Sequence, residues 1–284
     1  MERNRDFTEI KCHNCGAIVR GPYCHECGQH VRDNSDRSVP RLAGELLDNV
    51  FIFDNRFIKS LWYLFRYPGK MTVEFLDGKR RKFMSPISLF LFLNVIYFIV
   101  NPVTDYSLEL VDQMYYQVYS DWTVDWASQK LEEMSTDVEG FSETYQKASD
   151  NISKSLMFLN IPLIASVIYL MTFRHRRFYF DSLIFSTHFF SLFIFSLVLF
   201  RWTIDLLSSF DLPEDSAFLN TASLILFLSF GAIGPTLYSI LGMRRFINTS
   251  WVWAILAGIG VSAGVLLASI FYRFIIFILV FLTV

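Results

Sequence analysis

Five stretches of mostly apolar residues constrain this 284-residue chain more than any other feature. They cover residues 84–103, 155–173, 180–200, 218–241 and 251–272. A bilayer core is about 30 Å thick, so a helix rising about 1.5 Å per residue needs about 20 apolar residues to cross it. Of all residues, 53% are hydrophobic and only 18% are charged, a composition that excludes disordered and disulfide-scaffold proteins. The sequence predicts an all-α polytopic membrane protein with about five transmembrane helices.

The two C-terminal stretches carry further signals. In the fourth, Gly234-Pro235 predicts a kink because proline removes an internal hydrogen bond. In the fifth, glycines and alanine four residues apart permit close helix contact: Ala254, Gly258, Gly260 and Gly264. A sixth apolar run, residues 274–284, is too short to span alone. It either prolongs the fifth helix beyond Arg273 or lies at the membrane interface.

Basic residues set the expected orientation. Residues 1–10 are polar and charged where a secretory leader requires apolar residues, so we expect the N-terminus to stay in the cytoplasm. Lys and Arg in short flanking segments resist translocation. With five spans and the N-terminus inside, the cytoplasmic segments contain 20 of the 25 basic residues. Both signals predict a multi-pass protein of the cytoplasmic membrane with a cytoplasmic N-terminus.

Within the predicted membrane domain, residues 84–284, one sizeable external insertion covers residues 102–154. It contains eleven carboxylates against three lysines. Apolar residues recur at helical spacing between residues 108 and 122, which predicts an amphipathic helix or helical hairpin that caps the outer face. We interpret the acids as a solvated face, with attraction of cations toward a pore mouth as the alternative.

The cysteines indicate a metal site in residues 1–37. All four lie within sixteen residues as two Cys-x2-Cys pairs: Cys12, Cys15, Cys24 and Cys27. Two such turns facing across a short hairpin complete a tetrahedral shell of four thiolates for Zn²⁺. Gly16 and Gly28 each follow a pair, where a chain that folds back under the metal needs a positive φ. Since protein fills all four positions, we predict a structural zinc ribbon with no place for substrate.

Other chemistries remain for four cysteines. Two disulfides require an oxidising compartment, which conflicts with the cytoplasmic side, and a redox Cys-x2-Cys usually begins a helix in a larger α/β domain. Residue type leaves an iron–sulfur centre open. We interpret His13, His25 and His30 as surface residues, because four thiolates already saturate zinc. Residues 1–37 also contain six basic and six acidic residues, a balance that argues against nucleic acid as a partner.

Residues 38–83 join the predicted ribbon to the first span. Two amphipathic pieces, residues 41–53 and 55–67, are too charged to span and are typical of helices that lie at the interface. Pro68-Gly69 ends the second piece, and Asp77-Gly78 predicts a turn. Four consecutive basic residues then predict contact with anionic membrane lipid: Lys79, Arg80, Arg81 and Lys82. The other interpretation is that these residues merely set the orientation of the chain in the membrane. The same residues could do both.

A family resemblance covers roughly residues 12–100. The segment Tyr-Cys-His-Glu-Cys-Gly-Gln at residues 23–29, then Pro68-Gly69, the Gly-Lys-Arg of residues 78–80 and Pro86, resembles the membrane family called Domain of Unknown Function 3667. That family is marked by an N-terminal four-cysteine ribbon ahead of a helical membrane region. The resemblance implies a bacterial inner-membrane protein and supports zinc, and it transfers no catalytic residues.

Polar residues inside the spans are few. The chain has no His-Glu-x2-His run and no paired carboxylates within the predicted spans, which argues against an intramembrane hydrolase and leaves an enzyme acting on lipid near residues 79–82 as a third hypothesis. We expect a scaffold or regulator whose ribbon docks a cytoplasmic protein or the chain's own interfacial helices, and whose spans bind a membrane partner or another copy. The alternative is a transporter, channel or lipid-moving protein with a path lined by Asn94, Asn160 and His188.

Overall fold

The computed structural model describes residues 10–30, 56–100, 108–175, 177–210 and 217–284, and helices dominate it. The first described segment is a small ribbon with two antiparallel strands, β1 (Ile10–Lys11) and β2 (Ile18–Val19). The piece predicted over residues 41–53 lies outside the described residues. The piece predicted over residues 55–67 is helix α1 (Arg56–Arg66).

A short helix, α2 (Lys70–Leu76), separates α1 from the first apolar helix. It lies between the predicted break and the predicted turn, where Gly69 and Gly78 have φ angles of 73° and 89°. Left-handed backbone of this kind costs glycine nothing and other residues about 1–2 kcal/mol. Four of the seven α2 residues are buried: Met71, Thr72, Glu74 and Phe75. Helix α2 is therefore part of the packed structure.

Among the described residues, four helical segments are long and apolar enough to cross a membrane: Val138–His175, Tyr179–Ser208, Thr221–Ile247 and Trp251–Thr283. They coincide with the second to fifth predicted spans. The first predicted span is a shorter apolar helix, α3 (Pro86–Val100), and residues 101–107 lie outside the described chain. The fold is thus the predicted all-helical membrane type, with four long candidate spans and a shorter apolar helix.

Two of the long segments contain a short stretch of another helix type, and the last one is longer than predicted. The first comprises α6 (Val138–Leu156), a 3-10 turn and α7 (Asn160–Thr172). The third comprises α9 (Ala217–Phe227), a π-helical segment (Leu228–Ile233) and α10 (Gly234–Ile247). The π-helical turns end directly before Gly234-Pro235. The helix is therefore wider than an α-helix at the place where the kink was predicted. The last segment, α11 (Trp251–Thr283), continues through residues 274–283, so the sixth apolar run prolongs this helix.

The second long segment, α8 (Tyr179–Ser208), is the most buried of the four and packs against α3 and α7. Helix α11 packs closely on its neighbours through its small residues. A Cβ added to Gly258 would lie 2.7 Å from the Cα of Ile240, and one added to Gly264 would lie 2.9 Å from the Cβ of Val167. The glycine spacing therefore brings α11 against both α10 and α7.

An acidic cap covers one end of the bundle. It consists of α4 (Leu110–Tyr115), α5 (Ser120–Glu133) and α6, which pack around the last turns of α11. The hydroxyl of Tyr272 donates to the carbonyl of Ser153 at 2.5 Å, and Phe277 and Phe281 fill the apolar cluster beneath. The C-terminal part of α11 is thus buried by the cap.

Candidate metal centre

The two Cys-x2-Cys turns, called knuckles here, have the same backbone design. Each uses two hydrogen bonds of 2.8 Å: Cys12 N–H to Ala17 O, Gly16 N–H to Cys12 O, Cys24 N–H to Gln29 O and Gly28 N–H to Cys24 O. Gly16 and Gly28 have φ angles of 81° and 67°, as their positions after each pair predict. A side chain would strain both turns, so glycine permits the chain to fold back beneath the sulfurs.

The four sulfur atoms converge on one point. Sγ of Cys12 lies 3.6 Å from Sγ of Cys27, and Sγ of Cys15 lies 3.5 Å from Sγ of Cys24. All four lie within 4.8 Å of one another. A tetrahedral ion with metal–sulfur bonds of about 2.3 Å places its ligands about 3.8 Å apart, whereas a disulfide needs about 2.05 Å. The four free cysteines therefore fit a tetrahedral metal ion.

The thiols differ in acidity. Hydrogen bonds from the backbone N–H groups of Cys27 and Glu26 lower the pKa of Cys24 to about 6. A backbone hydrogen bond from Ala17 lowers the pKa of Cys15, but partial desolvation and hydrogen bonds with the other thiols outweigh it and raise that pKa to about 12. The lowered pKa of Cys24 favours its thiolate, and a bound cation would compensate the negative charge of thiolate ligands. This is the chemistry of a metal-ligand set.

The ribbon has almost no core apart from its sulfurs. Its buried residues are Cys12, Val19 and Cys24. His13 and His25 are exposed, in agreement with their interpretation as surface residues. A segment this small buries little apolar surface, so a metal ion held by the four cysteines would stabilise its fold.

The ribbon lies on the basic segment that precedes the first apolar helix. The side-chain amide of Gln29 donates to the carbonyl of Gly78 at 2.7 Å and accepts from the backbone N–H of Arg80 at 3.2 Å. The guanidinium of Arg81 donates to the carbonyl of Gly28 at 2.9 Å. We call residues 78–81 the ribbon seat. The chain therefore docks its ribbon on the basic segment that follows α2, whereas docking on the interfacial helices or on a cytoplasmic protein stays a prediction.

Helix α2 connects the ribbon seat to the bundle. Oγ1 of Thr72 lies 2.9 Å from Nδ1 of His188 on α8, and both residues are buried. At the start of α2, a Cβ on Gly69 would lie 2.7 Å from the carbonyl oxygen of Gly242 on α10. The guanidinium of Arg245 donates to the carbonyl of Pro68. These contacts hold α2 between two long helices.

The four consecutive basic residues mostly contact protein groups. Nζ of Lys82 lies 2.8 Å from the carboxylate of Glu74, and the guanidinium of Arg80 lies 5.0 Å from the centre of the Phe75 ring. Arg81 contacts the ribbon, and the backbone N–H of Lys79 donates to the carbonyl of Glu74 at 2.9 Å. Their predicted contact with anionic lipid stays a prediction.

The three polar residues of the proposed path have different surroundings. His188 contacts Thr72, and the side-chain amide of the buried Asn160 donates to Met157 O in its own segment at 3.2 Å. The Oδ1 atom of Asn94 is buried without a hydrogen-bond partner among the described residues. The path through these residues stays a prediction. The contacts of Gln29, Thr72 and Glu74 were not predicted: Gln29 belongs to the motif of residues 23–29, but that motif does not indicate what it contacts, and no local motif marks Thr72 or Glu74.

Comparison with known proteins matches residues 54–98 to the family model described as protein of unknown function (DUF3667). This confirms the family resemblance over α1, α2, the ribbon seat and most of α3. No curated protein and no solved structure matches the chain. The matched segment contains Gly78, Arg80 and Arg81, which form the hydrogen bonds with the ribbon described above.

Proposed function

We propose that this protein is a non-enzymatic scaffold or regulator of the bacterial cytoplasmic membrane, whose zinc-bound ribbon docks a cytoplasmic protein partner. The observation that carries the proposal is the way in which the ribbon is bound to the rest of the protein. One side is fastened to the ribbon seat through Gln29 and Gly28, while other residues of the ribbon remain exposed. A small module held in this way presents a fixed surface at the end of a helical bundle.

Zinc is the proposed ion. Four thiolates at tetrahedral separations suit Zn²⁺, which takes four ligands in structural sites and leaves no position for water or substrate. Cys12, Cys15, Cys24 and Cys27 would hold it. When bound, the ion stabilises the ribbon and supplies no reaction.

The distribution of charge supports the cytoplasmic orientation. The ribbon seat, the start of α8 and the end of α10 lie at the same end of the bundle, because Arg245 contacts Pro68 and Arg177 contacts the carbonyl of Phe246. Basic residues gather at this end, whereas the acidic cap lies at the C-terminal end of α11. By the positive-inside rule, this distribution of charge supports a cytoplasmic ribbon.

Tyr23 is the proposed anchor for the partner. It is 61% exposed, and its ring meets the ring of His30 edge to face at 4.7 Å, which restricts its orientation. Ile18, also on the ribbon, is 44% exposed. Rigid aromatic side chains at a surface contribute strongly to protein interfaces, because they add contact area at low entropic cost.

Co-purification from native membranes tests the proposal with three variants. Tyr23→Ala removes the anchor, Cys12→Ser removes a proposed metal ligand, and Tyr115→Ala removes a tyrosine of the cap that is also more than half exposed. We expect the first two variants to lose the partner and the third to keep it. An identical set of co-purified proteins in all three variants would overturn the proposal.

A further inference from the structure

Three aromatic rings form a row along α1. The centre of the Tyr63 ring lies 5.1 Å from that of Tyr67 and 4.9 Å from that of Phe83. Tyr63 lies on α1, Tyr67 directly follows the end of that helix, and Phe83 precedes α3. The row therefore crosses from the helix to the segment that leads into the membrane domain.

Four cations surround this row. Nζ of Lys70 lies 4.8 Å from the centre of the Tyr67 ring, and Nζ of Lys82 lies 5.1 Å from that of Phe83. Both amines also lie within 5.5 Å of the Tyr63 ring centre. Lys59 and Arg66 flank the two ends of the row, at 5.8 Å from Phe83 and 5.5 Å from Tyr67. We call the row and these four cations the Tyr63 cluster.

The Tyr63 cluster has an excess of positive charge. Glu74 forms an ion pair with Lys82, and within the part of the chain that the structure describes Lys59, Arg66 and Lys70 form no ion pair. Cations held near one another repel, although their contacts with the ring faces offset part of this cost. An anion among them would relieve the repulsion, and a phosphate offers several acceptor oxygens to these donors.

Exposed apolar side chains lie beside the cluster on the same helix. Helix α1 buries Ser60 and Leu64 against the bundle, and it exposes Ile58 and Trp62 by 73% and 63%. Phe65 is exposed as well. A free phosphate has no apolar part that could cover these side chains, whereas the acyl chains of a phospholipid could bury them. Cations beside exposed apolar side chains are what a helix at the headgroup level requires.

We propose that the Tyr63 cluster binds the phosphate of an anionic phospholipid, whose acyl chains lie along Ile58 and Trp62. This site differs from the run of basic residues 79–82. Arg80 and Arg81 of that run contact Phe75 and the ribbon, and only Lys82 faces the cluster. The proposal is independent of the docking of a partner by the ribbon, because it uses a different surface.

Lipid retention by the full-length protein tests the proposal. The protein is extracted in mild detergent from vesicles of equal phosphatidylglycerol and phosphatidylcholine, and bound lipid is counted by native mass spectrometry. We expect phosphatidylglycerol to be preferred, and Lys59→Gln with Lys70→Gln to lower its retention by about tenfold or more. Lys59→Arg with Lys70→Arg keeps the charge and should keep the lipid, which separates loss of binding from loss of fold.

Matched controls make the test decisive. Lys130→Gln with Lys147→Gln removes two charges from the acidic cap and should leave retention unchanged. Equal retention of the two lipids, or undiminished retention in the Lys59→Gln and Lys70→Gln protein, would overturn the proposal. So would displacement of the lipid by millimolar inorganic phosphate, because that result would identify a site for a soluble anion.

Discussion

The hydroxyl of Thr72 lies 2.9 Å from Nδ1 of His188, and this contact joins a seven-residue helix beside the ribbon seat to the most buried helix of the bundle. The two residues are 116 positions apart in the chain. The contact explains how a segment outside the long spans is held within the bundle. It also gives the first prediction.

Replacing Thr72 with Val keeps the shape and removes the hydroxyl. The buried Nδ1 of His188 then loses its partner, and we expect the free energy of unfolding to fall by about 1 kcal/mol. Thermal unfolding in detergent measures the loss. Thr203→Val is the control, because among the described residues Thr203 Oγ1 donates to Leu199 O of its own helix at 2.7 Å and to no other helix. Equal destabilisation by the two variants would contradict a specific role for Thr72.

Gly69→Ala should destabilise the packing of α2 against α10. The residue has a φ of 73°, and a methyl group there would lie 2.7 Å from the backbone oxygen of Gly242. Overpacking of this kind costs about 1–3 kcal/mol. Gly231→Ala is the control, since its nearest neighbours lie 3.7 Å or more away. Melting temperatures of both variants equal to that of the native protein would contradict the close contact between the backbones of α2 and α10.

The purified protein should contain one zinc ion per chain. Cys15→Ser and Cys24→Ser each remove one of four ligands and should reduce zinc to a small fraction of that amount. Elemental analysis of the purified protein provides the measurement. His25→Ala should retain full zinc, because His25 is exposed and is not among the converging ligands. Iron with acid-labile sulfide in place of zinc would contradict the assignment and indicate an iron–sulfur centre.

Chelation should unfold the ribbon and leave the bundle intact. The ribbon's buried residues are chiefly its metal ligands, whereas the helices have their own large apolar core. Proteolysis after treatment with a chelator should therefore cut within residues 10–30 while the long helices persist. Resistance of this segment to the protease without metal would show that the ion is not required for its fold.

Hydrophobic length and cysteine spacing predicted the features that depend on local sequence. The long helices follow from uninterrupted apolar residues, and the knuckles follow from Cys-x2-Cys-Gly at residues 12–16 and 24–28. The contacts of the ribbon seat were not predictable in this way. Gln29 and Gly78 are 49 residues apart, and neither belongs to a periodic pattern.

Charge runs were harder to interpret than apolar runs. Four adjacent basic residues look alike in sequence, yet Lys82 pairs with Glu74 and Arg81 contacts the ribbon. Their surroundings depend on how α2 packs, which no local signal gives. The proline of the fourth span likewise indicated an irregular backbone, but whether the helix bends or widens into π-helical turns depends on its neighbours.

Amide hydrogen exchange at Arg80 tests most directly whether the metal-bound ribbon rests on the ribbon seat. The Arg80 amide donates to Gln29 of the ribbon at 3.2 Å and shares its hydrogen with Gly78 O at 3.1 Å, so loss of the ribbon removes one of its two acceptors and the cover over it. The nearby Asp77 amide donates to Val73 of α2 at 2.9 Å and makes no such contact with the ribbon among the described residues. We expect chelation, and separately Gln29→Ala, to accelerate exchange at Arg80 and to leave exchange at Asp77 unchanged. Exchange at Arg80 that is the same with and without metal would show that the ribbon does not rest there.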